Sequence, residues 1–408
     1  MAFKRHPQSP LSGAILLALG LGNAHAQGFS VPEISIGGLG TGNAVVANPV
    51  MLGAVPYNPS LAAFHEGTTL TGGLMVVHAE SEVTTAIPNA VTTVDFQGKD
   101  NVFIPNLSLT HALGNQLTLS FNTSVPFGLS TNYPAGTFSA LGASSPTKSQ
   151  VEVIDIAPSL VFRVTTNTAL AAGIDYYWVR KVAFDTAALQ NKGDGDGWGW
   201  NVSASHAAGP WSFGASFRSH VEADISGETS ITGFGTFDGT NTTLDIPWRA
   251  QVGARYQVNP KLGIEADITR IGWNSFDVLT IRTVSPAGTI TSENHWKDAN
   301  AYRLGATYQL NSDTELRFGY TLDKTGMPDA FYSARTSDAD RHLFSIGLEK
   351  KLGGGLAIEA GYMLASFKDK TLRASGFTRL GEPNGSLLYN GDYETTVHLF
   401  GIGLNKTF

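Results

Sequence analysis

Few groups of residues in this chain could carry catalysis or bind a metal, and each departs from the pattern that its chemistry needs. Asp194-Gly195-Asp196-Gly197 is similar to the start of a calcium loop, but Ser205 occupies the twelfth position, where a glutamate is required. His65-Glu66 lacks the second histidine of a zinc-protease motif. There is no Gly-x-Ser-x-Gly elbow, and Gly38-x-Gly40-x-Gly42 lacks the spacing of a nucleotide loop. We therefore expect no enzyme, no metal site and no cofactor.

The composition favours strands with one apolar and one polar face. Charged residues make up 15% of the chain, well below the roughly 25% of soluble domains. Apolar residues reach 42%, yet they alternate with Ser, Thr, Gly and Asn. The net charge of -7 argues against a nucleic-acid partner. The absence of cysteine excludes a disulfide scaffold.

The N-terminus predicts an export signal at residues 1–26. Lys4 and Arg5 precede a short apolar stretch, and Ala24-His25-Ala26 supplies a small-x-small cleavage site before Gln27. The apolar stretch is too short to span roughly 30 Å of hydrocarbon as an anchor. Since no later apolar run is long enough for a membrane helix, the exported chain is either soluble or a closed barrel.

Period-two alternation recurs along the chain, as in Trp211–Arg218 and Leu316–Leu322. Soluble sandwiches also alternate, so the connections must decide. Tight turns are predicted at Gly114-Asn115, Thr166-Asn167, Gly209-Pro210, Asn259-Pro260, Ser312-Asp313 and Gly353-Gly354-Gly355. Longer polar stretches lie between them, at 81–91, 132–146, 185–195, 224–242, 284–295, 324–338 and 368–391. This pattern is typical of outer-membrane barrels, and it predicts an all-β transmembrane antiparallel barrel of about fourteen strands over residues 68–408.

The C-terminal residues agree with an outer-membrane location. Phe400, Ile402, Leu404 and Phe408 share one face of a final strand, as in the targeting signal of such barrels. Lys406 departs from this pattern, but a lysine at the membrane rim can extend its amine to water.

Residues 27–67 do not alternate and are too apolar for a solvated tail. A barrel of fourteen strands has a lumen wider than its own side chains fill. We therefore expect this segment to form a hatch, or plug, inside the lumen.

The same segment resembles the hatch of the FadL/TodX family of outer-membrane transporters for hydrophobic compounds. Asn58, Pro59 and Ser60 match its hatch motif, with serine in place of alanine. Further matching motifs follow in order along the chain, at Ile104-Pro105-Asn106, Gly197–Asn201, Trp273 with Ser275 and Phe276, Trp296–Ala299 with Tyr302-Arg303, and Asp338 with Asp340-Arg341.

The resemblance implies an inward kink in the third strand that opens a lateral exit. Here that strand covers about 116–130, and Pro126, Phe127 and Gly128 interrupt it. The alternative is an ordinary bulge near the outer rim.

The resemblance also implies passive uptake, with long-chain fatty acids as the first candidate substrate. Loop residues would capture the substrate, which then enters a pocket where Phe29 and the Asn58-Pro59 turn are neighbours. The predicted capture residues are Phe331, Tyr332, Leu387, Leu388 and Tyr389. A carboxylate needs a cation, for which Lys297 and Arg303 are the first candidates and Arg180 and Lys181 the second.

Several alternatives stay open. Arg303 could instead pair with lumen acids such as Glu265 or Asp267, and the loop aromatics could belong to the interfacial girdle. The substrate could be an aromatic or alkane hydrocarbon. An outer-membrane lipid hydrolase or a water-filled porin fits less well, since no nucleophile and base pair is evident and an apolar plug fills the lumen. The expected partners are hydrophobic small molecules and outer-membrane lipid, and we expect a monomer.

Overall fold

The structure is a computed structural model that describes residues 28–87, 90–95, 101–376 and 384–408. Its architecture is a closed antiparallel barrel of 14 strands, which confirms the predicted fold class. The predicted signal peptide lies outside the described residues. Within the described ranges, no helix is long and apolar enough to cross a membrane.

Short breaks divide several of the strands into two parts. The strands are β1 Thr68–Ile87, β2 Ala90–Asp95 with Val102–Ala112, β3 Leu117–Asn132, β4 Pro146–Thr165, β5 Thr168–Thr186, β6 Leu189–Ala208, β7 Trp211–Arg218 with Val221–Ile231, β8 Gly235–Ile246 with Arg249–Asn259, β9 Leu262–Ile271 with Val278–Arg282, β10 Thr289–Glu293 with Ala299–Asn311, β11 Thr314–Asp323, β12 Arg341–Gly353, β13 Leu356–Phe367 with Lys370–Leu372, and β14 Gly391–Thr407. The helix α1 is Ile36–Gly40, and short 3-10 helices are Leu52–Ala54, Pro59–Phe64, Ser139–Ser144, Trp273–Ser275, Asp329–Phe331, Ala334–Thr336 and Leu387–Tyr389.

The barrel closes where its last strand meets its first. β14 pairs antiparallel with β1 from Thr69↔Thr407 to Thr85↔Gly391. This pairing removes the two free edges that an open sheet would leave, as a wall in lipid requires.

The predicted tight turns all lie between consecutive strands at one end of the barrel. Three of the predicted longer loops are wrong. Among the described residues, 81–91, 185–195 and 224–242 belong mostly to β1–β2, β5–β6 and β7–β8, which run on as long hairpins. Their polar composition indicated loops because strands that rise beyond the hydrocarbon are wet on both faces.

The apolar side chains of the wall face outward. In β3 the exposed residues Leu117, Leu119 and Phe121 alternate with the buried residues Ser120 and Asn122. This arrangement is the reverse of a soluble protein and is what a lipid-facing surface needs.

Glycines of the wall allow the hatch to approach the strands closely. At Gly319 of β11 an added Cβ would stand 2.1 Å from the backbone nitrogen of Gly42, and at Gly214 of β7 it would stand 1.9 Å from the carbonyl oxygen of Val46. Other wall glycines against the hatch are Gly73, Gly253, Gly305, Gly347, Gly361, Gly401 and Gly403. The hatch therefore packs directly on the backbone of the wall.

Candidate functional site

The hatch motif begins a 3-10 helix at Pro59. The Asn58 side chain accepts a hydrogen bond from the Ser60 backbone nitrogen at 3.2 Å and donates one to the Val46 carbonyl at 2.7 Å. The Ser60 hydroxyl, where the resemblance expects alanine, lies 2.6 Å from Asn58 Oδ1 and 2.9 Å from the Ser205 hydroxyl of β6. These residues connect two parts of the hatch and fix them to the wall.

Two wall carboxylates hold the backbone of the hatch. Asp267 Oδ2 accepts hydrogen bonds from the backbone nitrogens of Val45 and Val46 at 2.9 and 3.0 Å. Glu265 Oε1 accepts one from the nitrogen of Ala47 at 2.7 Å. Charge-assisted bonds of this kind are roughly twice as strong as neutral ones. The two carboxylates therefore form a three-bond latch, which we call the carboxylate latch.

The third strand leaves the wall near its middle. Among the described residues, β3 pairs with β2 no further than Leu107↔Thr123, and its register with β4 shifts between Ser124 and Phe127. The alternation of exposed and buried residues stops there, because Ser124 through Phe127 are all buried. The strand thus bends inward and leaves β2 without its neighbour beyond Leu107.

The hatch occupies the inner side of this kink. Ser30 and Phe127 form an isolated antiparallel bridge. The Val31 nitrogen donates to the Pro126 carbonyl at 2.8 Å, and the Gly128 nitrogen donates to the Phe29 carbonyl at 3.0 Å. Backbone groups that β3 loses from the wall are thus partly satisfied by the hatch.

Phe29 is the centre of an aromatic cluster above the kink. Its ring centroid lies 4.5 Å from that of Trp273, 5.5 Å from that of Phe276, and 6.2 Å from those of Phe127 and Trp296. The expectation that Phe29 and the Asn58-Pro59 turn are neighbours was wrong. Phe29 packs in this cluster, whereas the residues flanking the turn pack in a separate cluster against β4 and β5.

A pocket that encloses about 650 Å³ of empty space, part of it continuous with solvent, lies on the outer side of Phe29. Its apolar lining includes Phe29, Leu129, Val151, Phe184, Leu244, Phe276 and Ile281, and its polar lining includes Gln150, Asn294, Arg335 and Thr336. An adjoining recess of about 280 Å³ shares Phe184 and Ile281 with it. The barrel therefore holds a mostly apolar chamber between its outer loops and its hatch.

Residues 17–408 match the sequence profile of the family described as "Outer membrane protein transport protein (OMPP1/FadL/TodX)". The chain belongs to this family. It is thus a bacterial outer-membrane barrel, and the activity that membership supports is transport of hydrophobic substrates across that membrane.

Relatives within the family carry names for different substrates. The chain is 22% identical to the long-chain fatty acid transport protein of Escherichia coli O6:H1, over 97% of each chain. Its fold is similar to that of a Pseudomonas aeruginosa FadL homologue, with a TM-score of 0.78, 17% identity, and coverage of 93% of this chain and 99% of the other. It is also similar to the Pseudomonas putida toluene transporter TodX, with a TM-score of 0.69, 16% identity, and coverage of 94% and 100%.

None of the four predicted cations lines the chamber. For Arg180, Lys181 and Lys297 the assignment to the substrate is corrected. Arg180 and Lys181 are exposed at a bulge of β5, and Arg180 lies 3.4 Å from Glu152. Lys297 is exposed between the two parts of β10. Arg180 follows the local alternation, with Trp178 exposed and Val179 buried before it, whereas a bulge at Lys181 and a strand break at Lys297 change which face these residues occupy.

Arg303 is buried in the lumen, but it lies among acids of the wall. Its Nη1 donates to the Thr269 hydroxyl, and its charge faces those of Asp323 and Asp267. This placement favours the alternative interpretation of Arg303 as a partner of lumen acids. It does not line the chamber.

The cation that lines the chamber is Arg335, which the sequence did not single out. It lies in the 3-10 helix Ala334–Thr336, and its guanidinium stands 3.8 Å above the centroid of the Phe184 ring. Burial lowers the pKa of Arg335 to about 10, so the group stays protonated at neutral pH. A loop arginine beside an aromatic residue is a weak signal, because no periodicity indicates where a loop side chain points.

The predicted capture residues are only partly accessible. Phe331, Leu387 and Leu388 are half-buried, and the Phe331 ring lies 4.5 Å from that of His295. Tyr332 and Tyr389 are buried, with ring centroids 6.3 Å apart. The expectation that these two tyrosines bind substrate at the outer surface is corrected, because they pack inside the loops that cover the chamber.

One group of potential metal ligands occurs among the described residues. His220, Glu222 and Asp245 bring one ligand atom each within 4.8 Å of one another on the outer surface. His220 Nε2 already lies 2.9 Å from Asp245 Oδ1. The contact is a hydrogen bond at the surface.

Proposed function

We propose that this barrel carries long hydrophobic molecules, foremost long-chain fatty acids, passively across the outer membrane. The substrate enters the chamber beneath the outer loops, passes Phe29 and leaves sideways through the opening between β2 and β3. The single observation that supports this route is the contact between a chamber-lining hatch residue and the kink. Phe29 lines the chamber, and its carbonyl bonds the Gly128 nitrogen of the kinked strand at 3.0 Å.

The route needs no energy source, because the substrate moves down its own gradient. Apolar side chains line the chamber down to Phe29 and Phe276, and Phe127 continues them to the opening. A displacement of Gly128 and Phe29 would join the two spaces.

Aromatic or alkane hydrocarbons are the second candidate substrates. The likeness in fold to a toluene transporter supports them, although at 16% identity it speaks for the fold alone. A hydrocarbon needs no cation, so Arg335 would have no role in its recognition.

The test is uptake of labelled oleate and labelled toluene by cells that lack their own transporter, with and without this protein. Saturable oleate uptake supports the fatty-acid reading, and toluene uptake without oleate moves the protein to the second candidate. If cells that contain the assembled barrel take up neither oleate nor toluene, both candidate substrates are falsified.

The lateral exit is tested in the same assay by straightening the kink. The double variant Pro126→Val with Gly128→Ala should lower oleate uptake without loss of the assembled barrel. Gly128 has room for a methyl group, since the nearest atom to an added Cβ is 3.5 Å away. Pro158→Val is the matched control, because Pro158 lies in β4 directly opposite Phe121, within the closed wall. Unchanged uptake by the double variant would count against the exit.

A further inference from the structure

Strands β7 and β8 are both interrupted at the same level of the wall. The interruption of β7 is Ser219-His220, and that of β8 is Pro247-Trp248. The pairing of β7 with β8 stops below these residues and resumes above them. No backbone hydrogen bond joins the two interruptions among the described residues, and a proline has no amide hydrogen to donate one. We call this place the ladder gap.

The ladder gap lies at the outer edge of the aromatic girdle. The Trp200 ring is 51% exposed, and its centroid lies 5.3 Å from that of Phe217, which lies 6.1 Å from that of Trp248. Exposed tryptophans of a barrel mark the boundary between hydrocarbon and water. His220, which is also exposed, therefore lies on the outer surface of the barrel, where water and ions reach it.

Three side chains with metal-binding atoms converge beside the ladder gap. His220 and Glu222 are two residues apart, so the two-residue repeat of an extended chain directs both to one face. Asp245 of β8 is the direct partner of Glu222 across the pairing. One ligand atom of each side chain lies within 4.8 Å of the other two, and His220 Nε2 is 2.9 Å from Asp245 Oδ1. Two strands thus bring one imidazole and two carboxylates to a common point.

The charges at this point favour a cation. Glu222 and Asp245 stand directly opposite one another, and like charges in this arrangement destabilise a sheet. In the described part of the chain, neither forms a salt bridge with a lysine or an arginine, and His220 offsets one of the two charges only when it is protonated. Asp224 adds a further exposed carboxylate two residues along β7.

The donor set decides which class of ion fits. Oxygen ligands alone suit calcium or magnesium. An imidazole nitrogen favours zinc and similar transition-metal ions, which also accept carboxylate oxygens. Zinc bonds to nitrogen and oxygen are roughly 2.0–2.2 Å long, and three protein ligands leave the fourth position to water.

We propose that His220, Glu222 and Asp245 bind one zinc-class divalent ion on the outer surface of the barrel. His220 binds through Nε2 and keeps its proton on Nδ1, and the two carboxylates balance the charge of the ion. Because the ligands come from β7 and β8, the ion joins these strands where the ladder is interrupted. It thereby stabilises the outer hairpin, whose residues Thr242 and Leu244 line the chamber. This site does not depend on the identity of the transported substrate.

The competing explanation is that His220 and Asp245 form a surface hydrogen bond and nothing more. A second histidine provides a matched comparison, because His295 also lies beside two carboxylates. Asp277 contacts its Nδ1, whereas Glu293 lies 3.4 Å from its Nε2. The residue types are nearly the same at both places, but the two carboxylates beside His295 do not share one ring nitrogen.

The experiment is calorimetric titration of zinc chloride into the purified full-length barrel in detergent, without a histidine tag. Wild type should bind one zinc ion per barrel, and excess calcium should not compete. His220→Asn, Glu222→Gln and Asp245→Asn should each weaken zinc binding by at least about tenfold, since loss of an outer partner of a ligand alone costs roughly 10–100-fold. His295→Asn is the control and should bind zinc as wild type does.

Hydrogen exchange with and without zinc tests the link between the strands. Zinc should slow amide exchange in residues 219–222 and 245–248 of wild type, and it should not do so in His220→Asn. Absence of zinc binding, or equal zinc binding by wild type and His220→Asn, would overturn the site. Loss of the ion in His295→Asn would overturn the choice of ligands, and zinc binding that leaves exchange unchanged would overturn the link between β7 and β8.

Discussion

Phe29 of the hatch and Phe127 of the kinked strand meet edge to face, with ring centroids 6.2 Å apart. The backbone on either side of Phe127 is bonded to the hatch as well, through Pro126 and Gly128. Neither residue can move far while the other stays in place. The contact therefore joins the chamber to the opening in the wall.

Phe29→Ala should release the hatch from the kink. Loss of a buried phenylalanine ring costs on the order of 3–5 kcal/mol, so the hydrogen bond from the Gly128 nitrogen to the Phe29 carbonyl should open more often. Hydrogen exchange of the Gly128 amide, measured by mass spectrometry, should speed up by at least about tenfold. Val50→Ala, at a hatch residue that is 70% exposed, should leave exchange unchanged. Equal exchange in wild type and Phe29→Ala would contradict the coupling.

Gly319→Val should displace the hatch from the wall. An added Cβ at this position would stand 2.1 Å from the Gly42 nitrogen, a distance that no packing rearrangement of side chains can relieve. A barrel with a displaced hatch should leak, and vesicles that contain it should swell in a small sugar. Gly376→Ala is the control, since nothing lies within 4 Å of a Cβ there. Vesicles that stay tight with Gly319→Val would show that the hatch tolerates the change.

Asp267→Asn should loosen the carboxylate latch. The substitution keeps the shape but removes the charge from the acceptor of the Val45 and Val46 nitrogens. Charge-assisted bonds are about twice as strong as neutral ones, so a loss of roughly 1.4 kcal/mol, or a tenfold rise in exchange of these amides, is expected. Asp298→Asn, at a surface partner of Arg270, should not change it. Unaltered protection of Val45 and Val46 would argue that packing alone holds the hatch.

His295 should make the outer hairpin sensitive to pH. Its hydrogen bond with Asp277 raises the pKa of His295 above the ordinary value, and Glu293 at 3.4 Å acts in the same direction. Because the folded pKa is the higher one, the stabilisation is complete below the unfolded value of roughly 6.5 and is lost as pH rises through the folded pKa.

An NMR titration of labelled histidine checks this expectation. Asp277→Asn should lower the pKa of His295, whereas Asp329→Asn, at an acid that pairs with Lys370, should not. A titration midpoint that Asp277→Asn leaves in place would remove Asp277 as the cause.

The barrel could be predicted from the sequence because its pattern is local. Alternation in segments such as Trp211–Arg218 follows from the two-residue repeat of a strand, and each tight turn contains Gly, Asn, Asp or Pro. Pro126 marks the inward bend for the same reason, since a proline within a strand removes a ladder bond. These signals need no knowledge of distant contacts.

The cation of the chamber could not be predicted in this way. Arg180 and Lys181 lie in a strand, where Arg180 shares the exposed face of Trp178 and a bulge between Val179 and Val182 leaves Lys181 exposed as well. Arg335 lies in a loop, and its position over Phe184 depends on contacts between residues about 150 positions apart. Only the folded chain brings such residues together.

Ile36 of the hatch lies where the first and last strands of the barrel meet. An added Cβ at Gly73 of β1 would stand 2.6 Å from its side chain, and one at Gly403 of β14 would stand 2.9 Å away. Gly73 and Gly403 are direct partners across the pairing that closes the cylinder. The last strand to leave the ribosome therefore docks on the first strand over a residue from the N-terminal segment. Closure of the cylinder and seating of Ile36 therefore share one contact, so the strand pairing that completes the barrel forms directly against the hatch.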